Sequence, residues 1–89
     1  MLQLSGRKQR RATALSDLRQ GEAGILHRLE LPEDEAHRLM ELGFLPGSQV
    51  VYSRSAPGGD PRVYRVDGAD IALRRETASS LILQLGSDL

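Results

Sequence analysis

The spacing of apolar residues changes along the chain, and each change marks a predicted element. Leu15 and Leu18 are three residues apart, which predicts one helical turn ended by Gly21. Residues 24–31 then alternate with a period of two, as in a strand. One face of that strand would carry Ile25, His27, Leu29 and Leu31, and the other Leu26, Arg28 and Glu30.

Residues 32–42 have the pattern of an α-helix. Its first turn holds three acids, which favour the positive end of the helix dipole: Glu33, Asp34 and Glu35. Its apolar stripe consists of Ala36, Leu39 and Met40. Gly43 follows at the position where helices end with a positive φ, and Pro46-Gly47 predicts a tight turn.

The rest of the chain again follows the strand period. Strands are predicted at 48–55, at 62–66, around Ile71 and Leu73, and at 81–85, with one helical turn at 75–79. A proline- and glycine-rich loop, 56–61, separates the first two, and Asp67-Gly68 is a strong hairpin signal. Five short strands and one main helix predict a mainly β fold, curled into a closed or nearly closed barrel.

The composition narrows the class of protein. The chain has 89 residues, enough for one small domain, and no cysteine, which excludes disulfides, thiolate metal sites and cysteine nucleophiles. The N-terminus lacks the apolar run of a signal peptide, and no segment is apolar over the roughly 20 residues that a membrane-spanning helix needs. We therefore expect a cytoplasmic protein.

Charge is distributed unevenly between two predicted regions. Residues 1–13 form a basic arm without acids, carrying Arg7, Lys8, Arg10 and Arg11. Residues 14–89, the predicted domain, hold eight basic and twelve acidic residues, a net charge of −4. An acidic body is unsuited to nucleic acid, so no nucleic-acid partner is expected. The arm is interpreted as a solvated tail; attraction to an anionic membrane or to nucleic acid is the alternative.

The chain offers little for catalysis or for tight metal binding. Nothing places its Ser, His and Asp residues together, and no carboxylate pair converges, so no enzyme activity and no cofactor are expected. Glu33, His37 and Glu41 follow one helix face and are where a weak metal site would lie. The simpler interpretation is ordinary exposed helix side chains, and no metal ligand is assigned. The glycine-rich segment 57–60 lacks a phosphate-binding lysine and a following helix.

The best candidate surface is apolar. Phe44 and Leu45 come directly after the helix stop, outside the span that must be buried. In the alternative, Phe44 packs back on Leu39 or Met40 as part of the helix cap. Tyr52 and Tyr64, on adjacent predicted strands, are expected to form an aromatic pair, in the core or on a groove.

The ordered set of these features resembles the ferrous iron transport protein A (FeoA) family over residues 14–85. The matching residues are Leu15-Ser16-Asp17-Leu18, Gly21, Gly24, Ile25, Arg38-Leu39, Leu42-Gly43-Phe44, Pro46-Gly47, Pro57, Gly59-Asp60-Pro61, Gly68, Ile71-Ala72-Leu73-Arg74 and Ala78. The resemblance implies an SH3-like β-barrel with a helix inserted after the first strand. It also implies a cytosolic accessory protein of the FeoB-type ferrous iron transporter, a membrane protein with a GTP-binding domain.

The resemblance also implies where a partner would bind and what the alternative function is. The partner would bind through the helix, the turn after it and the 57–61 loop, and the candidate contact residues are Leu42, Gly43, Phe44, Leu45, Pro46, Gly47, Pro57, Gly59, Asp60 and Pro61. The protein would bias the transporter's conformation or assembly without catalysis. The alternative is a divalent-metal-responsive module, because a related domain ends the DtxR-type iron-dependent repressors. A short open sheet edge would also allow weak homo-oligomers.

Overall fold

A computed structural model of the chain describes residues 12–85 and shows the predicted mainly β arrangement. Five strands form one antiparallel sheet, in the order β4-β3-β2-β1-β5. The strands are β1 (Ala23–Leu29), β2 (Gln49–Ser55), β3 (Arg62–Val66), β4 (Ala69–Leu73) and β5 (Leu81–Leu83). A 3₁₀ turn (Leu15–Asp17) precedes β1, α1 (Glu33–Glu41) follows β1, and α2 (Arg75–Ala78) precedes β5.

The ends of the folded region differ slightly from the predicted ones. Ala12, assigned to the basic arm, is 5% exposed, and the Thr13 carbonyl accepts a 2.9 Å hydrogen bond from the Leu83 amide. Ala12 and Thr13, which the prediction placed in the arm, therefore pack with the domain, while residues 1–11 lie outside the described part. The last strand ends at Leu83, two residues earlier than predicted, and Leu85 is exposed.

One core fills the inside of the curled sheet. Its largest fully buried side chains come from the 3₁₀ turn and the residue after it, four of the five strands and the α1–β2 connection: Leu15, Leu18, Leu26, Phe44, Val50, Tyr64, Val66 and Leu81. Three of these side chains, Leu15, Leu18 and Phe44, lie outside the strands. The core therefore closes only when the 3₁₀ turn and the α1–β2 connection pack on the sheet. Burial of such apolar area is the main stabilising contribution to the fold.

A β-bulge in β1 corrects the predicted facing of that strand. The register with β5 shifts between Leu26 and Arg28, so His27 is an extra residue. Leu26 and Leu29 consequently both point toward the core, three residues apart instead of two or four. The prediction that these two leucines lie on opposite faces is therefore wrong, because simple alternation cannot include a bulge.

The end of α1 has the geometry that its sequence predicts. The Gly43 amide donates to the Met40 carbonyl at 3.0 Å, and the Phe44 amide donates to the Leu39 carbonyl at 3.1 Å. This pair of bonds is a Schellman motif, and Gly43 has the positive φ it requires, 113°. A Cβ at position 43 would also lie 3.3 Å from Cβ of Asp67.

We expect Gly43→Ala to lower the free energy of unfolding by about 1–3 kcal/mol, the usual range for a side chain forced into a glycine conformation. Gly47→Ala is the matched control, since Gly47 has a similar φ of 94° but nothing within 4 Å of a new Cβ. Urea denaturation of both variants isolates the contact with Asp67. A Gly43→Ala variant as stable as the unaltered chain would contradict the cap geometry.

Candidate functional site

The connection between α1 and β2, residues 42–47, makes a rigid corner, and it is called the corner below. Its second half is a type II turn, in which the Leu45 carbonyl accepts a 2.9 Å hydrogen bond from the Ser48 amide. Pro46 takes the position that needs φ near −65°, and Gly47 takes the position that needs a positive φ. The local sequence therefore specifies the shape of the turn.

Backbone hydrogen bonds fasten the corner to β1. The Gly47 amide donates to the Leu26 carbonyl at 2.7 Å, and the Leu26 amide donates to the Ser48 carbonyl at 2.9 Å. The corner is thus held between α1 and the sheet, and a partner that binds it would not need to order it first.

The side chains of the corner point in two directions. Phe44 is 0% exposed and belongs to the core, whereas Leu42 and Leu45 are 45% and 46% exposed. Phe44 is in the predicted partner-binding set, but its side chain is fully buried. We therefore no longer count Phe44 among the residues that would contact a partner. Its role is to anchor the corner from below, in line with the alternative in which it packs with Leu39.

The other half of the predicted partner-binding set lies elsewhere. The 57–61 loop joins β2 to β3, whereas the corner lies at the start of β2. Seven residues of strand separate the two, which corresponds to roughly 20 Å. Pro57, Gly59 and Pro61 therefore do not share one compact surface with the corner.

Asp60 has a structural partner within the chain. Its Oδ1 accepts a 3.0 Å hydrogen bond from the backbone amide of Arg75, the first residue of α2. The carboxylate thereby satisfies an amide that α2 itself leaves unpaired. This role was not predicted, because Asp60 and Arg75 are fifteen residues apart.

The residues singled out for metal binding remain without an assigned role. Glu33, His37 and Glu41 lie along the exposed face of α1, beside Asp34 and Arg38. Between residues 12 and 85, no three His, Asp or Glu side chains are grouped so that they could ligate one ion.

A second cluster ties the 3₁₀ turn to the sheet. The guanidinium of Arg62 lies 4.6 Å from the ring centroid of Tyr52, and Nη1 donates to the carbonyls of Ser16 at 2.9 Å and Leu18 at 3.3 Å. Arg62, on β3, therefore binds the backbone at both Ser16 and Leu18, which lie more than forty residues earlier in the sequence. Cation–π contact and hydrogen bonds from a charged donor both stabilise this arrangement.

The two tyrosines form the predicted aromatic pair, and it lies in the core. Their ring centroids are 5.6 Å apart at an interplanar angle of 41°. The Tyr64 hydroxyl donates to the Leu15 carbonyl at 3.3 Å, so Tyr64 also fastens the 3₁₀ turn. Burial raises the pKa of Tyr64 above its usual value, and the neighbouring Arg62 partly offsets that rise. No feature of the sequence pattern indicated the part played by Arg62.

Comparison with known proteins identifies the family. The FeoA domain model matches residues 13–85. The chain is 32% identical over 71 residues to an Fe(2+) transport protein A/Fe(2+) transporter FeoB fusion protein of Porphyromonas gingivalis. That match covers 80% of this chain but only 8% of the fusion protein.

Solved structures of FeoA proteins share the fold. FeoA of Chlorobium tepidum superposes with a TM-score of 0.76 at 27% identity, covering 82% of this chain and 70% of that one. FeoA of Stenotrophomonas maltophilia, solved as a zinc complex and described as a prokaryotic SH3 domain protein, gives 0.70 at 30% identity. Its match covers 82% of this chain and 91% of that one.

These findings agree with the architecture of the described residues. The five-stranded sheet with α1 inserted after β1 is the SH3-like fold. No helix between residues 12 and 85 combines the length and apolar character required to span a bilayer. With most of its length matched by the FeoA domain model and its fold shared with solved FeoA proteins, the chain belongs to the FeoA family of ferrous iron transport.

Proposed function

We propose that this protein is a cytoplasmic accessory protein of ferrous iron uptake that binds a FeoB-type transporter. It biases the transporter's conformation or assembly and catalyses no reaction. The fusion relative supports this proposal, because a single chain there joins an FeoA region to FeoB. Such a fusion keeps the FeoA region beside the transporter at a high effective concentration.

The observation that carries the proposal is the pair of exposed leucines on the corner. Within residues 12–85, three large apolar side chains are exposed, and two of them, Leu42 and Leu45, lie on either side of buried Phe44. Single exposed leucines are common, but two on one rigid turn give a small apolar patch on a fixed frame. Apolar anchors of this kind dominate the binding energy of protein interfaces.

The charges beside the corner indicate the chemistry of the partner surface. The exposed face of α1 is strongly acidic, with Glu33, Asp34, Glu35 and Glu41 against a single Arg38. Asp67 lies next to Gly43. A partner surface with Lys or Arg around an apolar depression would complement this region. Cytoplasmic loops of membrane proteins are enriched in Lys and Arg, as this proposal requires.

We expect the double variant Leu42→Ser/Leu45→Ser to bind the detergent-solubilised transporter about 10–100-fold more weakly, because each lost anchor typically removes about 1 kcal/mol or more of binding free energy. Binding is measured by titrating the labelled chain with purified transporter. The double variant should keep its stability, since both leucines are already about half exposed.

Leu85→Ser is the matched control, because Leu85 is 84% exposed, follows the end of β5 and is not part of the corner. It should bind as the unaltered chain does. Equal loss of affinity in the double variant and in the control would contradict a specific role for the corner. Failure of the unaltered chain to bind the transporter would overturn the proposed function itself.

A further inference from the structure

The strand β4 is an open edge of the sheet. It pairs with β3 alone, and the two are joined by a two-residue turn in which Asp67 and Gly68 have φ of 52° and 80°. In such a hairpin the flanking pair, Val66 and Ala69, is hydrogen-bonded, and every second pair after it is too. The backbone groups of Asp70 and Ala72 therefore point away from β3, toward the free edge.

The edge lacks the features that usually prevent strand addition. The segment has no proline and no lysine, and its register with β3 is regular. Its one charged side chain, Asp70, is already paired with Arg65 at 2.9 Å and Arg54 at 3.3 Å. Among the described residues, neither Asp70 nor Ala72 makes a backbone hydrogen bond outside the ladder with β3.

We propose that β4 pairs antiparallel with β4 of a second copy of this chain, around a twofold axis at Ala72. The residue pattern is complementary to itself under that symmetry. With Ala72 opposite its own copy, each Asp70 lies opposite an Arg74 of the other chain, so two ion pairs form at once. Arg74 continues the extended backbone of β4, and it has no ion pair between residues 12 and 85.

The side chains of the two faces also fit this register. On the outer face, the two Ala72 side chains are small enough to lie together at the axis. On the inner face, Ile71 lies opposite Leu73 of the other copy and loses its remaining exposure. A carboxylate has about four acceptor positions, so Asp70 can accept from Arg74 and keep its bonds to Arg65 and Arg54.

The contact is one short strand pair, so the dimer is weak and exchanges rapidly, as small interfaces do. Sedimentation equilibrium of the full chain, up to roughly 1 mM, should show a monomer–dimer equilibrium. Ala72→Pro should raise the dissociation constant at least about tenfold without unfolding the domain, because proline is tolerated where an edge amide faces solvent. A chain that stays monomeric throughout, or a dimer unaffected by Ala72→Pro, would overturn the proposal.

Exchanging charges tests the register without proline. Arg74→Glu and Asp70→Lys should each weaken dimerisation about tenfold, because like charges then lie opposite each other. An equimolar mixture of the two variants should recover it, since each chain again faces an opposite charge. Arg28→Glu, the same charge change on β1, should leave the dimer unaltered, because β3 and β2 separate β1 from β4. A mixture no more dimeric than its components would show that Asp70 and Arg74 do not meet.

Discussion

Replacing Phe44 with alanine is expected to lower the free energy of unfolding by about 3–5 kcal/mol, the usual range for removing a buried aromatic side chain. Phe44 is fully buried and sits where the end of α1, the corner and the sheet meet. Its removal would leave a cavity lined by residues from several elements, which could not all collapse into it. A domain of this size has a total stability on the order of 5–10 kcal/mol, so much of it would be lost.

The adjacent Leu45 provides the matched control. It is 46% exposed, and Leu45→Ala should change stability by less than about 0.5 kcal/mol, as surface substitutions usually do. Phe44→Leu retains most of the volume and gives an intermediate value if Phe44→Ala does not fold. Chemical denaturation of the three variants measures the order directly. Similar losses for Phe44→Ala and Leu45→Ala would contradict the division of the corner into a buried anchor and an exposed surface.

Replacing Arg62 with methionine is expected to lower the free energy of unfolding by about 2–4 kcal/mol, from lost charged hydrogen bonds and cation–π contact. Methionine keeps an apolar stem of similar length but cannot donate to the carbonyls of Ser16 and Leu18. The buried Nε of Arg62 has no hydrogen-bond partner between residues 12 and 85, which reduces the net contribution of the guanidinium. Amide exchange in the 3₁₀ turn should accelerate as well, because that turn loses its attachment.

Arg65 lies on the same strand and supplies the control. Its guanidinium is exposed and is paired with Asp70, so Arg65→Met should cost less than about 1 kcal/mol. Thermal or urea unfolding compares the two variants, and hydrogen exchange locates the effect. If both substitutions had equal and small effects, Arg62 would not be fastening the 3₁₀ turn to the sheet.

Features specified by neighbouring residues could be predicted from the sequence. Gly43 and Pro46-Gly47 have the conformations expected of them, and Asp67-Gly68 forms the predicted hairpin turn. Each depends on steric preferences within a few residues, so the pattern alone is sufficient. Val50 and Tyr52, two residues apart on β2, are likewise both buried, as the period of two in a strand requires.

Features that depend on distant contacts could not be predicted. Arg62 reaches carbonyls 44 and 46 residues away, and Asp60 accepts from an amide 15 residues away. No local period records such contacts. The bulge at His27 is set by pairing with β5, so the facing of β1 was correct only up to that residue.

The candidate site shows the same limit. The two predicted halves of the partner-binding set are near each other in sequence but lie at opposite ends of β2. Their separation depends on the length of β2 and not on the types of residue in the two halves. Phe44 is the clearest case, because an aromatic residue after a helix stop is equally compatible with a core position and a surface position until the packing is known.

The proposed role of the corner is tested most directly by mapping the transporter contact on the isotope-labelled chain. Amide resonances would be followed by NMR while the purified cytosolic region of a FeoB-type transporter is added. We expect perturbations to concentrate on residues 42–48 and on the neighbouring Asp67-Gly68 turn, and the 57–61 loop to be little affected. Perturbations confined to that loop, or none at saturating transporter, would contradict that role.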